Sequence, residues 1–344
     1  DLLSPVVSGI NMGPYIHNID PVLFKAGNVC LWWYGLSYFL GFLEIHIHLM
    51  RARWKLDLTH SDVYSLSLHF LGGVLLGGRL IEVAFDEWSF YRQHVAMIPA
   101  YWLGGMASHG VMLGAAMGIC LFCWRHRKPL RLIADEFAIP GAFLLGISRI
   151  GNFIDGQIVG RVTDVCWAVK FPDAEGFRHP VVLYDGAKNL LLIPLLLLVK
   201  SLRPVQGTMS AYFIFLYAFL RIFIDMFRDY PRHRLPMGTG QTLNIVMSVL
   251  GICLLVRSHL RARTARQGDI APDRSPVEVS VGDAPTFLKR AALTALLLFS
   301  LTIPSNWTQD VPSRYGKRHP GLQHSAVYPK IDTNPPGNRY LGRQ

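Results

Sequence analysis

Charge is scarce in this sequence: 17% of its 344 residues are Asp, Glu, Lys or Arg, against about 25% in an ordinary soluble domain. Since 51% of the chain is apolar and those residues lie in blocks, a freely soluble globular chain is excluded. Cysteine is scarce as well. The five cysteines are odd in number, and Cys30, Cys120, Cys123 and Cys253 fall inside apolar runs. Cys120 and Cys123 form a CxxC without a second pair, so no metal site is expected, and the thiols read as small buried hydrophobes. Internal repeats are missing, which gives no support to a solenoid or an inverted-repeat transporter. No cleavable leader is expected ahead of the first apolar run.

What is present is a series of apolar runs near 29–50, 63–85, 107–124, 133–149, 186–200, 209–227, 240–256 and 288–304. A membrane-crossing helix needs roughly 20 mostly apolar residues, and a spanning helix satisfies its own backbone donors and acceptors. The fold class expected is therefore all-α, a polytopic transmembrane bundle of seven spans with an eighth added. Its organisation reads as an extracytoplasmic lead-in (1–28), a transmembrane body (29–256) and a basic, then acidic and Pro-containing cytoplasmic linker (257–287). An extra transmembrane helix (288–304) and an irregular tail (305–344) follow. The loop from about 150 to 185 holds VCWAVKF, a β-like run, and suggests a small extracytoplasmic subdomain.

The net charge of +11 is not spread as a nucleic-acid-binding face would be. Arg51, Arg53 and Lys55 follow the first run. Arg125, Arg127, Lys128 and Arg131 follow the third, Lys200 and Arg203 the fifth, and Arg257, Arg261, Arg263 and Arg266 the seventh. Every second loop is short and basic, as cytoplasmic loops are, so the N-terminus is expected outside. The last cluster also admits a membrane-surface role toward acidic lipid.

Ionisable residues inside a membrane are costly and mark function by default. Four clusters qualify. ASHGVMLG puts His109 at the outer start of the third run. SRIGNFIDGQIVGR places Arg149 at the outer end of the fourth, with Asn152 and Gly160 beyond. YAFLRIFIDMFR sets Tyr217, Arg221, Asp225 and Arg228 on one helix face. FLGGVLLGGRL carries Arg79 after a glycine pair. Each has a structural reading beside the functional one: a satisfied interfacial histidine, a snorkelling arginine, an ion-pair ladder with Asp225 neutralising Arg221. Together they describe a cationic pocket near the outer face. Arginine's planar fork suits a phosphodiester, and a neighbouring histidine can move a proton.

Seven stretches in order, LWWYGLSYFLGF, FLGGVLLGGRL, GGMASHGVMLG, SRIGNFIDGQIVGRVTD, RHPVVLYDG, YAFLRIFIDMFR and MGTGQTLN, resemble the prolipoprotein diacylglyceryl transferase family over residues 14–256. The resemblance implies an enzyme of the bacterial inner membrane that moves the diacylglyceryl group of phosphatidylglycerol onto the lipobox cysteine thiol of a preprolipoprotein. It implies no metal and no organic cofactor. It implies His109, Arg149 and Arg221 as catalytic residues, with Tyr34, Asn152, Gly160 and Tyr217 binding substrate; Arg79 and Arg228 join them from the charge pattern.

The sequence departs from the family's usual strings at Ser148, Asp155, Gln157, Val181, Val182, Asp185 and Asp225. Asp185 and Asp225 keep an acid where glutamate is usual, whereas Gln157 loses one and Asp155 gains one nearby. The alternatives are a divergent or inactive paralogue, or a lipid-binding or transport module whose arginines line a path.

Overall fold

The computed structural model describes residues 14–156, 158–229, 239–265, 285–305 and 310–331. Gln157 lies outside these residues, as do parts of the expected lead-in, linker and tail. Three short strands come first: β1 (Tyr15–Ile16), β2 (Val22–Ala26) and β3 (Val29–Trp32). Helices α1 (Trp33–Ala52), α2 (His60–Ile81), α3 (Trp88–Tyr91), α4 (Ser108–Arg125) and α5 (Leu130–Asp155) follow. After strand β4 (Val169–Lys170) come α6 (Val181–Ser201), α7 (Thr208–Asp225), α8 (Thr239–Ala265), α9 (Thr286–Ser300) and α10 (Val311–Tyr315). β1 pairs in parallel with β4, and β2 with β3 in an antiparallel hairpin. VCWAVKF thus supplies the strand its β-like composition suggests.

Five helices are long and apolar enough to cross a membrane: α2 with its continuation to Phe85, α5, α6, α7 and Gly240–Thr264 within α8. Eight had been expected. The difference lies in α1, α4 and α9. α1 carries Glu44, His46, His48 and Arg51 among its apolar residues. α4 opens on Ser108–His109 and closes on Arg125. α9 has 15 residues, about 22 Å of helix.

Local chemistry explains where the helices start. Thr59 and Asp62 form a reciprocal capping box at the start of α2. The start of α7 is capped from another helix: Gly207 N and Ser210 N donate to the Asp135 carboxylate at 2.7 and 2.8 Å, so a negative side chain meets the positive end of the helix.

Packing is set by small residues. Gly73 and Gly77 of α2 face Gly110, Gly114 and Gly118 of α4, and a Cβ at Gly73, Gly110 or Gly114 would drive into the facing glycine's carbonyl oxygen. Glycines four apart on both helices let the backbones touch, as membrane helices commonly do. A core of Phe42, Ile45, Leu66, Phe70, Phe122 and Phe137 fills the space between α1, α2, α4 and α5.

The basic loops gather at one end. Lys55 pairs with buried Glu136, which also meets His48 at 3.0 Å and Lys200 at 3.9 Å, and Lys128 reaches Asp57 across the same end. The tail, expected to be irregular, holds one short helix among its described residues, yet it is packed. Val311, Tyr315, Leu322, Tyr328 and Ile331 share an apolar cluster with Val22, Cys30, Trp32 and Leu103. Periodicity does not reveal this, because the tail's apolar residues are complementary to the N-terminal hairpin rather than to a helix face.

Candidate functional site

At the end opposite those basic loops, three helices bring charge into the protein interior. Arg149 and Asn152 lie three apart on α5, Asp185 and Lys188 three apart on α6, and Tyr217, Arg221 and Asp225 four apart on α7, so each set occupies one face. α5, α6 and α7 pack against one another, and the faces meet. Asp185 is buried at their junction. Its Oδ2 lies 2.6 Å from Arg149 Nε and also pairs with Arg221, while Oδ1 lies 2.9 Å from Lys188 Nζ. Arg221 Nε reaches Asp225 Oδ1 at 3.1 Å, and Asn244 of α8 donates to the other oxygen of Asp225 at 2.9 Å. These side chains are three cations and two carboxylates, and buried Glu82 of the adjoining pocket wall brings a third acid.

This cluster adjoins a pocket. Tyr34, Tyr38, Ser108, Arg149, Asn152 and Tyr217 line it. Arg149 donates to Asn152 Oδ1 at 3.0 Å, and Tyr34 donates to Tyr38 Oη at 3.2 Å. Lys188 stands 4.1 Å over the Tyr217 ring, a cation–π contact. Buried Glu82, from the π turn Glu82–Asp86 that ends α2, forms part of the wall. The free volume is about 40 Å³, room for a few waters.

The residues singled out from the sequence distribute unevenly. Arg149, Asn152, Tyr34 and Tyr217 meet at the pocket, and Arg221 joins Arg149 on Asp185. His109, in the first turn of α4, is half-buried and within electrostatic reach of Arg221, Asp225, Arg228 and Arg149. Among the described residues its ring makes no hydrogen bond.

Gly160 is a place of close backbone contact between segments. It bridges to Arg228, and a Cβ there would stand 2.5 Å from the His179 carbonyl oxygen. Its backbone ties the 158–180 loop to the end of α7, where Arg161 N donates to Phe227 O at 2.8 Å.

Arg79 departs from expectation. Its five N–H groups donate to five carbonyl oxygens, those of Met97, Ile98, Ala100, Gly104 and Gly105. An arginine has five such donors, so none remains for a substrate. Arg79 holds the 97–105 loop that leads into α4. Its placement after a glycine pair in an apolar run gave no sign of this, because its partners are backbone atoms.

Asp185 and Lys188 had been missed as site residues. The signal existed: an acid and a base three apart in YDGAKN, beside an apolar run. Asp185 sits one residue ahead of the apolar run that begins near 186, outside its span. Ser148 lines the pocket and donates to Leu145 O at 3.1 Å. Asp155, the acid gained, is buried and accepts from Tyr315 Oη at 2.9 Å.

The family described as Prolipoprotein diacylglyceryl transferase matches residues 21–257. Relatives named phosphatidylglycerol–prolipoprotein diacylglyceryl transferase are similar over most of the chain. One from Geobacter sulfurreducens is 36% identical over 249 residues, covering 70% of this chain and 95% of the relative. One from Rhodospirillum centenum is 34% identical over 278 residues, 77% and 97% of the two. A third, from Pseudoalteromonas atlantica, is 33% identical over 264 residues, 73% and 93%.

Proposed function

The chain belongs to the prolipoprotein diacylglyceryl transferase family, and from that premise we propose that it moves the diacylglyceryl group of phosphatidylglycerol to the lipobox cysteine thiol of a preprolipoprotein. The observation that carries this reading is the pair of guanidinium groups, Arg149 in the pocket wall and Arg221 beside it, which one carboxylate holds together and which suit a phosphodiester in charge and shape. In the reaction the cysteine sulfur attacks the glycerol carbon that bears the phosphate. A C–S bond forms, the C–O bond breaks, and glycerol phosphate leaves with the electron pair while the thiol gives up its proton.

Each group then has a task. Asp185 and Asp225 hold the guanidinium planes of Arg149 and Arg221, so these cations need little reorganisation as charge builds on the leaving phosphate. Asn152 fixes Arg149 and offers its amide to the headgroup. His109 takes the thiol proton; the thiolate is the competent nucleophile. Tyr34 and Tyr217 wall the lipid. Gly160 and Arg228 bind the outer loop to α7 and keep it over the pocket, and Arg79 stays with its own loop.

The chain is a multi-pass membrane protein. In the arrangement proposed, α1 and α4 cross with the five longer helices, since α1 packs on α5 and α4 on α2, and α9 adds an eighth crossing. The clustering of Lys55, Lys128 and Lys200 at one end supports a cytoplasmic face there, with the pocket, the N-terminus and the small strands outside, in the bacterial inner membrane.

The test is transfer of labelled phosphatidylglycerol to a lipobox peptide by the purified protein in lipid nanodiscs. The wild type is active, and Arg149→Ala and Arg221→Ala each lower the rate at least about a hundredfold, as loss of a charged transition-state contact does. Near-wild-type turnover in both variants rejects the phosphate clamp. An active wild type also rejects the inactive-paralogue and transport alternatives.

A further inference from the structure

Residues beyond 257 lie outside the family match, yet the described part of the C-terminal extension is built into the site. α9 packs Leu293 and Leu297 into the core against α1 and α2, and Lys289 donates to Ser61 at 2.8 Å near the start of α2. Its other end runs over Gly35, where a Cβ would stand 2.5 Å from the carbonyl oxygens of Ser300 and Leu301. Leu301 O accepts from Trp32 N at 2.9 Å. Further on, Arg318 donates to the carbonyls of Ile154 and Asp155 at 3.0 and 2.6 Å. Those carbonyls belong to the last turn of α5, which lacks intrahelical donors and favours a cation.

Between these anchors, Pro304 and Ser305 form part of the pocket wall. Ser305 completes a relay. Arginine only donates, so Asn152 must turn its carbonyl oxygen to Arg149. The Asn152 amide nitrogen, in a buried residue, then needs an acceptor, and Ser305 Oγ supplies it at 2.6 Å. Without that oxygen the buried amide nitrogen has no acceptor, and Asn152 is held through its contact with Arg149 alone.

We propose that the C-terminal extension completes the active site, with Ser305 as the positioning residue that fixes Asn152 and, through it, the Arg149 guanidinium. The proposal rests on the transfer reading above. It is tested with the full chain in phosphatidylglycerol-containing nanodiscs, comparing wild type, Ser305→Ala and Ser305→Thr. The readouts are kcat, KM for phosphatidylglycerol, KM for the lipobox peptide, and thermal melting. Ser305→Ala lowers kcat/KM for phosphatidylglycerol about tenfold, on the scale of one net hydrogen bond. Peptide KM stays at the wild-type value, the melting temperature falls slightly as the buried amide loses its acceptor, and Ser305→Thr, which keeps the hydroxyl, restores most of both losses. Wild-type kinetics in Ser305→Ala overturn the proposal while leaving the transfer reading intact. So does a loss that the threonine variant shares in full, or one that raises peptide KM as much as it lowers kcat/KM for phosphatidylglycerol. An inactive wild type overturns the transfer reading and this proposal with it.

Discussion

Arg149 and Arg221 converge on one oxygen, Oδ2 of Asp185. Two guanidinium groups on different helices would repel if buried alone, and a carboxylate from a third helix holds them in register. Asp185→Ala therefore removes the partner of two buried cations, Arg149 and Lys188, and of the largely buried Arg221. Breaking a buried pair costs about 3–5 kcal/mol, so the variant loses transfer entirely and melts well below the wild type. Asp185→Glu keeps the charge and retains measurable transfer. Parallel melting and activity measurements on both variants check this.

Arg79 makes an opposite prediction to Arg149. With all five donors on loop carbonyls, Arg79→Lys, with at most three donors, leaves carbonyls unsatisfied and costs about 1–3 kcal/mol. Protease cutting within 92–105 should rise, while KM for phosphatidylglycerol in the surviving folded fraction stays unchanged. A raised lipid KM without loop loosening would return Arg79 to the substrate.

The glycine seam between α2 and α4 offers an internal control. A methyl at Gly114 enters the Gly73 carbonyl, whereas a Cβ at Gly72 meets nothing within 4 Å. Gly114→Ala should destabilise by about 1–3 kcal/mol through overpacking, and Gly72→Ala should leave melting unchanged. Equal behaviour of the two would mean that the helices do not touch there.

Near the N-terminus, burial pushes the His17 imidazole below its ordinary value of 6.5. Its Nε2 donates to Phe153 O at 2.8 Å, and Nδ1 is buried with no partner among the described residues. Folding therefore favours the neutral ring. In the window below about 6.5 the unfolded chain binds more protons than the folded one, so stability is full above that pH and falls as pH drops through the lowered value. Melting curves across that range should show the decline, and His17→Gln, which keeps a donor but cannot titrate, should flatten it.

Much of the bundle was legible because apolar runs and basic loops act locally: a run of apolar residues becomes a helix wherever its neighbours lie. Arg149, Asn152, Tyr217 and Arg221 were legible for the related reason that charge and polarity in such a run stand out. What escaped depends on pairing across the chain. Asp185 is read as ordinary until Arg149 and Arg221 are seen around it. Arg79 resembles a ligand-binding arginine until its carbonyl partners, some 20 residues on, fold over it. The tail lacks periodicity because its shape answers the hairpin at β2 and β3, and Ser305 has no motif at all.

Helix α5 is held from both directions. Asp135 near its start is tied to α7 by two backbone amides and the Ser210 hydroxyl, and its last carbonyls are gripped by Arg318. A rod clamped at each end does not swing. Both clamps reach other elements, α7 at one end and the C-terminal segment at the other. Arg149 and Asn152 ride on that rod, so the pocket wall they form keeps its place relative to α7 and the C-terminal segment.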